Sequence, residues 1–305
     1  MPVSREAKKE SIDRRQMMRL AAVTPCLFGM ESALSFLSDP STGPKYTLSV
    51  NIEMMFPSDT RRDERIKRVA DQGMKAFSFW TVSDEDERLM LAAKSQTGLA
   101  CGSIAGSGKI GWSTGLTKTG HEKAYIDVIT KNCQVANRFG ANNLIVFVGE
   151  VQTDIPWETQ FKQIVDGLKK VGDIAEKHGV FICLEPLNRV ESPKMSMPLS
   201  EDAFKIVIAV NHPRVKVDYD LYHRQLGEGN LINNLKYGLD KGYIQFVEVG
   251  DVPGRNEPGT GEVNYSSIFR LLRESGYAGY VGMEHGTSST PEHAMEVVSR
   301  FAAAS

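Results

Sequence analysis

The sequence predicts an α/β fold, a single-domain (β/α)8 TIM barrel, and three observations lead to this prediction. Short apolar segments alternate with longer helical ones eight times between residue 46 and the C-terminus. These eight βα rounds fill roughly 260 residues, which is the usual size of such a barrel. Connections that follow strands are long, whereas those that lead from helices into strands are short, as at residues 73–75 and 276–278. A doubly wound sheet is the alternative architecture.

Each predicted strand is a short run of apolar, β-branched or aromatic residues. The strands cover residues 46–52, 76–80, 99–104, 143–148, 180–185, 215–220, 244–249 and 279–284. The helices cover residues 61–72, 84–96, 122–139, 157–178, 201–210, 231–238, 266–274 and 291–302. The long loops after strands cover residues 105–121, 188–200, 221–230 and 250–264. In a barrel these loops form the catalytic rim, so we expect the functional residues there.

The composition is that of a globular protein with a full core. The chain has 305 residues, of which 41% are hydrophobic and 24% are charged. A net charge of -2 and the lack of a long basic run argue against nucleic acid or an anionic membrane as the main partner, and favour a small polar molecule. The four cysteines show no CxxC spacing, so the sequence indicates neither a zinc knuckle nor a disulfide framework.

Residues 1–45 differ from the rest of the chain. Basic residues come first and a mostly apolar run follows at residues 20–30, which is the order of a secretory signal and too short for a stable membrane span. The segment SIDRRQMMRLAA resembles a twin-arginine export signal, with Arg14 and Arg15 as the pair. We therefore expect an export signal and linker over 1–45, a catalytic barrel over 46–305, and a periplasmic or exported protein. The alternative is a basic arm that packs on a neighbouring subunit of a cytoplasmic protein.

Four consecutive predicted strands end on a carboxylate. These residues are Glu185, Asp220, Glu248 and Glu284, and the apolar residues before each place it at the tip of a buried strand. For any one of them, an exposed charge or a salt bridge to a loop arginine would be the simpler interpretation. Four together would repel one another and lose hydration, so we expect one divalent cation between them. Oxygen ligands favour Mn²⁺ or Mg²⁺ over zinc.

Three motifs connect the chain to a known family. EPLNR at residues 185–189, DLYH at 220–223 and PGTGE at 258–262 resemble the sugar isomerase and epimerase superfamily of xylose isomerase-like TIM barrels. The loop over residues 251–265 is most similar to that of hydroxypyruvate isomerases, and ketose 3-epimerases are also similar. The resemblance extends over residues 46–302.

The resemblance implies a metal centre and an acid-base pair. Members of the superfamily bind one divalent metal through two glutamates, an aspartate and a histidine or glutamine. By resemblance, Glu185 and Glu284 are the two glutamates, which also serve as the catalytic acid and base, and Asp220 is the aspartate. Homo-oligomers are common in the superfamily, so a homo-oligomer is a further expectation.

Substrate contacts are also implied. His223 corresponds to a histidine that contacts substrate oxygens, and Arg255 to an arginine that holds a substrate oxygen or carboxylate. Asn188 and Glu191 continue the fifth strand as pocket-lining residues do in ketose epimerases, although ordinary loop polar groups would look the same. Trp80, Trp112 and Phe56 either form an apolar wall over the substrate or pack at the rim.

The chain departs from the family pattern at three places. Glu248 stands where the metal ligand is usually Gln or His, which adds a negative charge, raises the pKa of neighbouring carboxyls and weakens the metal as a Lewis acid. Ser78 stands where a glutamate is frequent. The third strand ends in CGSIAG, without the histidine common in hydroxypyruvate isomerases.

These residues predict a metal-dependent isomerase or epimerase that moves a proton next to a carbonyl group. The substrate would be a small sugar or keto acid, either hydroxypyruvate-like or a ketose. The alternative is a metal-dependent lyase or dehydratase acting on a keto-sugar or keto-cyclitol. A binding protein that kept the barrel but lost turnover is a different class of interpretation. A DNA-repair endonuclease on the same barrel would need a histidine-rich cluster and a basic face, which the sequence does not indicate.

Overall fold

The computed structural model describes residues 43–304, in which eight parallel strands form one closed barrel in chain order. The strands are β1 Thr47–Asn51, β2 Ala76–Phe79, β3 Ala100–Ala105, β4 Asn143–Val146, β5 Phe181–Leu184, β6 Val215–Asp220, β7 Ile244–Val249 and β8 Tyr280–Met283. Each strand pairs with the next, and β8 pairs with β1 to close the barrel. The predicted TIM barrel is confirmed.

Ten helices occur in the described residues. They are α1 Arg62–Asp71, α2 Asp84–Thr97, α3 Gly108–Ser113, α4 Glu122–Phe139, α5 Trp157–His178, α6 Ser200–Val210, α7 Leu221–Gly227, α8 Leu231–Asp240, α9 Tyr265–Glu274 and α10 Pro291–Ala304. α2, α4 and α5 each end at a glycine in the left-handed conformation, which closes the last turn.

Two of these helices correct the prediction. The sequence placed residues 105–121 and 221–230 in loops, but they contain α3 and α7, of six and seven residues. Neither is long enough to show an amphipathic period. α7 begins where the Asp220 carboxylate accepts the backbone N–H of Tyr222, a capping bond that also fixes the carboxylate.

The core lies between the barrel and its helices, and the barrel interior is partly lined by small residues. Phe79 of β2 packs on Phe139 of α4 with ring centroids 4.7 Å apart. A Cβ added at Gly282 would lie 2.8 Å from Phe246 and 3.0 Å from the Glu248 side chain. A Cβ added at Gly102 would meet a serine side chain of β1 at 2.4 Å. Glycine at these two positions therefore leaves room for the neighbouring Phe246, Glu248 and Ser49 side chains.

The predicted export signal lies almost entirely outside the described residues. Of residues 1–45, the structure describes only 43–45, so the signal and its domain boundary stay predictions. Within residues 43–304, no helix combines the length and apolarity needed to span a membrane.

Candidate metal centre and substrate cavity

The four predicted carboxylate ligands converge at the C-terminal mouth of the barrel. Glu185 follows β5, Asp220 ends β6, Glu248 lies in β7 directly opposite Asp220, and Glu284 follows β8. One oxygen atom of each lies within 4.8 Å of the others, and all four side chains are buried. The C-terminal ends of parallel strands all lie at the same end of the barrel, so four residues that are distant in sequence meet here.

Glu284 is held by donors from three other parts of the barrel. Its Oε1 atom accepts hydrogen bonds from Asn51 Nδ2 at 3.1 Å and Trp80 Nε1 at 3.0 Å. Its Oε2 atom accepts from Arg255 Nη2 at 2.6 Å. Sequence reasoning missed Asn51 and considered Trp80 only as part of an apolar wall or as rim packing. The available signal for Asn51 was a polar side chain near the end of the first predicted strand.

Arg255 bridges two of the carboxylates. Its Nη2 atom also donates to Asp220 Oδ2 at 3.0 Å, and its guanidinium lies 4.6 Å from the centroid of the Tyr222 ring. The backbone of Arg255 has a φ of 49°, the left-handed conformation that costs a non-glycine residue about 1 kcal/mol or more. The predicted proximity of Arg255 to the site is therefore present in the structure, at the expense of local strain.

Asp251 explains how the loop tolerates that strain. The side chain of Asp251 is fully buried and accepts backbone N–H groups from Val252, Gly259, Gly261 and Val263 at 2.8 to 3.1 Å. Four charge-assisted hydrogen bonds to one carboxylate hold the loop that carries Arg255.

His223 faces the cluster, and Asn188 and Glu191 lie behind it. His223 Nε2 is 3.6 Å from Asp220 Oδ2 and 3.7 Å from Glu185 Oε1. Asn188 Nδ2 lies 2.6 Å from His223 Nδ1 and donates to Glu191 Oε2 at 3.0 Å. His223 lines the cavity at the mouth, whereas neither Asn188 nor Glu191 does.

Burial controls the protonation of the cluster. Desolvation, reinforced by neighbouring acids, raises the pKa of the Glu185 and Glu248 carboxyls well above the ordinary range. Desolvation also raises the pKa of Glu284, with Arg255 opposing it. The same burial lowers the pKa of His223 to about 4, so this ring is neutral at pH 7.

A fifth acid, Asp218, escaped sequence reasoning. It is fully buried in β6 beside Glu248. Within the described residues no donor group reaches its oxygens or Glu248 Oε2, although the Asp218 and Glu248 carboxyls are close enough to share a proton. Desolvation raises the pKa of Asp218 well above its ordinary value. The signal was available, because Asp218 and Asp220 are two residues apart and so lie on one strand face. Buried acids with unpartnered oxygens fit a cation-binding centre.

A cavity of about 390 Å³ opens over the cluster. Its charged and titratable lining includes Glu185, Glu248, Glu284, His223 and Arg255. Its apolar lining includes Met54, Phe79, Trp80, Ile104, Trp112 and Phe147. Trp80 and Trp112 are 46% and 48% exposed and so can contact a ligand, whereas Phe56 is buried in the core. The arrangement suits a small polar molecule with one apolar face.

Comparisons with known proteins show the family and the fold. A family model described as xylose isomerase-like TIM barrel matches residues 66–303. The hydroxypyruvate isomerase of Escherichia coli (strain K12) is 30% identical over 173 residues, or 57% of this chain and 66% of that protein. A putative hydroxypyruvate isomerase of Danio rerio is 27% identical over 82% of this chain and 94% of its own length. The crystal structure of AP endonuclease, family 2, from Brucella melitensis superimposes with a TM-score of 0.75 at 23% identity, covering 84% of this chain and 98% of that one, which shows the fold alone.

Proposed function

We propose that this chain, which belongs to the xylose isomerase-like TIM barrel family, is a divalent-metal-dependent isomerase or epimerase of a small hydroxy-carbonyl compound. The observation that carries the proposal is the meeting of four buried carboxylates within 4.8 Å, three of which, Glu185, Glu248 and Glu284, line a cavity. The similarity to hydroxypyruvate isomerases supports a small keto acid or ketose as the substrate.

Glu185, Asp220, Glu248 and Glu284 would hold the metal. The fit rests on their oxygen donors, their burial and the unpartnered Oε2 atom of Glu248. A bound Mn²⁺ or Mg²⁺ would draw electron density from the substrate carbonyl and stabilise the negative charge that develops on its oxygen.

Glu185 and Glu284 would transfer the proton. Within the described residues, no hydrogen bond ties up the Glu185 carboxylate, and burial raises its pKa, so it is suited to take a proton from carbon. Glu284 would return a proton to the neighbouring carbon or to the opposite face. Arg255 and His223 line the same cavity and would donate hydrogen bonds to substrate oxygens.

Proton exchange in D₂O, followed by NMR, tests the proposal. The panel contains hydroxypyruvate, ketohexoses and keto-inositols, with Mg²⁺ present or removed by a chelator. We expect metal-dependent deuterium uptake at carbon for one compound class, and its loss in Glu185→Gln and Glu284→Gln. Glu262→Gln is the matched control, because Glu262 is an exposed carboxylate in the neighbouring loop. Uptake that persists in the chelator would refute the role of the metal.

Two other outcomes identify the alternatives. An elimination product with new ultraviolet absorbance would indicate a lyase or dehydratase. Tight ligand binding without exchange, unchanged in Glu284→Gln, would indicate a binding protein.

A further inference from the structure

We infer that Asn188 is a positioning residue that fixes the tautomer of His223, with the proton on Nε2, so that His223 donates a hydrogen bond into the cavity and is not a metal ligand. The identity of the substrate oxygen that would accept this hydrogen bond rests on the proposed function. The tautomer itself rests only on contacts among described residues.

The orientation of the Asn188 amide is set by Glu191. Asn188 Oδ1 accepts the backbone N–H of Glu191 at 2.9 Å, and Asn188 Nδ2 donates to Glu191 Oε2 at 3.0 Å. If the amide were flipped, Asn188 Nδ2 would face the backbone N–H of Glu191, and Asn188 Oδ1 would face the Glu191 carboxylate. Neither contact could be a hydrogen bond. The amide therefore presents its second N–H to His223 Nδ1, at 2.6 Å.

The charge of Glu191 agrees with this orientation, which the backbone N–H of Glu191 already fixes. Tyr222 Oη donates to Glu191 Oε1 at 2.6 Å. Burial alone would raise the pKa of the Glu191 carboxyl, but the hydrogen bonds from Tyr222 and Asn188 outweigh it and the pKa is lowered. Glu191 is therefore a carboxylate at neutral pH and can only accept hydrogen bonds.

The proton on His223 follows from this orientation. A neutral imidazole has one donor and one acceptor nitrogen, and Nδ1 is the acceptor, so Nε2 carries the hydrogen. Its distances to Asp220 and Glu185, 3.6 and 3.7 Å, are too long for hydrogen bonds, which leaves the N–H for a ligand in the cavity. A protonated nitrogen has no lone pair for a metal, although the ring lies close enough to Glu185 and Asp220 to complete a ligand set geometrically.

A second pair of the same residue types shows the opposite arrangement and serves as an internal control. Asn137 Nδ2 donates to the backbone oxygen of His178 at 2.8 Å, so its Oδ1 faces His178 Nδ1, also at 2.8 Å. An amide oxygen requires a donor, and His178 therefore carries its proton on Nδ1. In the buried pair the amide nitrogen meets the ring, and in the exposed pair the amide oxygen does.

Long-range ¹H–¹⁵N correlation NMR on the full chain with ¹⁵N-labelled histidine tests the inference. The sample carries diamagnetic Mg²⁺, and the His223 signals are assigned by their loss in His223→Gln. We expect a pyrrole-type Nε2 and a pyridine-type Nδ1 for His223, and the reverse preference for His178. A pyrrole-type Nδ1 in His223 would overturn the tautomer assignment.

Asn188→Leu removes the short side-chain donor to His223 Nδ1 at similar side-chain size, and keeps only the longer contact from the Asn188 backbone N–H at 3.5 Å. We expect the two His223 nitrogen signals to move toward each other as both tautomers become populated, and KM to rise about tenfold, as for loss of one hydrogen bond. Mg²⁺ affinity measured by calorimetry should be unchanged. His223 signals identical to those of the parent protein would overturn the role of Asn188.

Asn137→Leu is the matched control and should alter the His178 signals only. The wild-type spectrum decides the tautomer even if Asn188→Leu does not fold. Because the spectrum needs no turnover, failure of the D₂O exchange experiment would remove the proposed function and leave the tautomer assignment standing.

Discussion

Replacing Glu248 by glutamine should stabilise the metal-free protein and weaken its metal binding. At an effective dielectric constant of about 20, two full charges 4.8 Å apart repel by roughly 3.5 kcal/mol. Proton uptake by the cluster already relieves part of this repulsion, because burial raises the pKa of Glu248. The new amide could also donate to the neighbouring Asp218 carboxyl, whose oxygens no other donor reaches within the described residues.

We therefore expect the free energy of unfolding of metal-free Glu248→Gln to rise by about 2 kcal/mol, which corresponds to an increase in Tm of about 4 to 8 °C for a domain of this size. With one negative charge fewer, Mg²⁺ affinity should fall about tenfold or more. Differential scanning calorimetry in EDTA and in excess MgCl₂ measures both effects. The gain in Tm on adding metal should be smaller in the variant than in the parent protein.

The exposed substitution Glu262→Gln is the control, since it makes the same chemical change without altering the cluster. A metal-free Glu248→Gln protein that is less stable than its parent would refute the electrostatic reasoning. It would mean that the hydrogen-bonding geometry of Glu248, and not its charge, dominates its contribution.

Two further predictions concern Glu284 and pH. Trp80→Phe keeps an aromatic side chain but removes the indole N–H that donates to Glu284. We expect kcat to fall about tenfold or more, as for loss of a hydrogen bond to a charged group, and an unchanged kcat would contradict this. In EDTA, Tm should rise as pH is lowered from 8 to 6.5. Burial raises the pKa values of Glu185, Asp218 and Glu248 in the folded protein. Their contribution to the free energy of unfolding is therefore largest below the ordinary pKa of a carboxyl group, and it is progressively lost as pH rises. The lowered pKa of His223 destabilises the folded protein as pH falls, but only below the ordinary histidine pKa of 6.5. Excess Mg²⁺ should flatten the profile, and a Tm that falls between pH 8 and 6.5 in EDTA would contradict the assignment.

The sequence predicted the C-terminal ends of the strands well because a local pattern determines them. A buried parallel strand is a short apolar run, and a carboxylate that ends such a run must lie at the C-terminal mouth of the barrel. That reasoning placed Glu185, Asp220, Glu248 and Glu284 together without knowledge of any contact. It also located the rim loops, although not the short helices within two of them.

Contacts across the barrel were beyond the sequence. The bond from Asn51 to Glu284 joins residues 233 positions apart, and no local pattern encodes it. Asn188 was expected beside the substrate, and the structure places it behind His223, because a side chain after a strand can point along the rim as well as into it. Asp218 could have been found from its spacing to Asp220, but its lack of hydrogen-bond partners depends on tertiary packing.

The contacts of Glu284 have a consequence for biosynthesis. This residue follows the last strand, and two of the groups that orient it come from the first and second. A nascent chain on the ribosome has made Asn51 and Trp80 long before it reaches Glu284, so these bonds form only after translation of β8. The four-carboxylate cluster is therefore incomplete until β8 has been made, so the proposed metal would load only after that point. A fragment truncated before β8 lacks one of the four carboxylates and the order that barrel closure imposes on the rest.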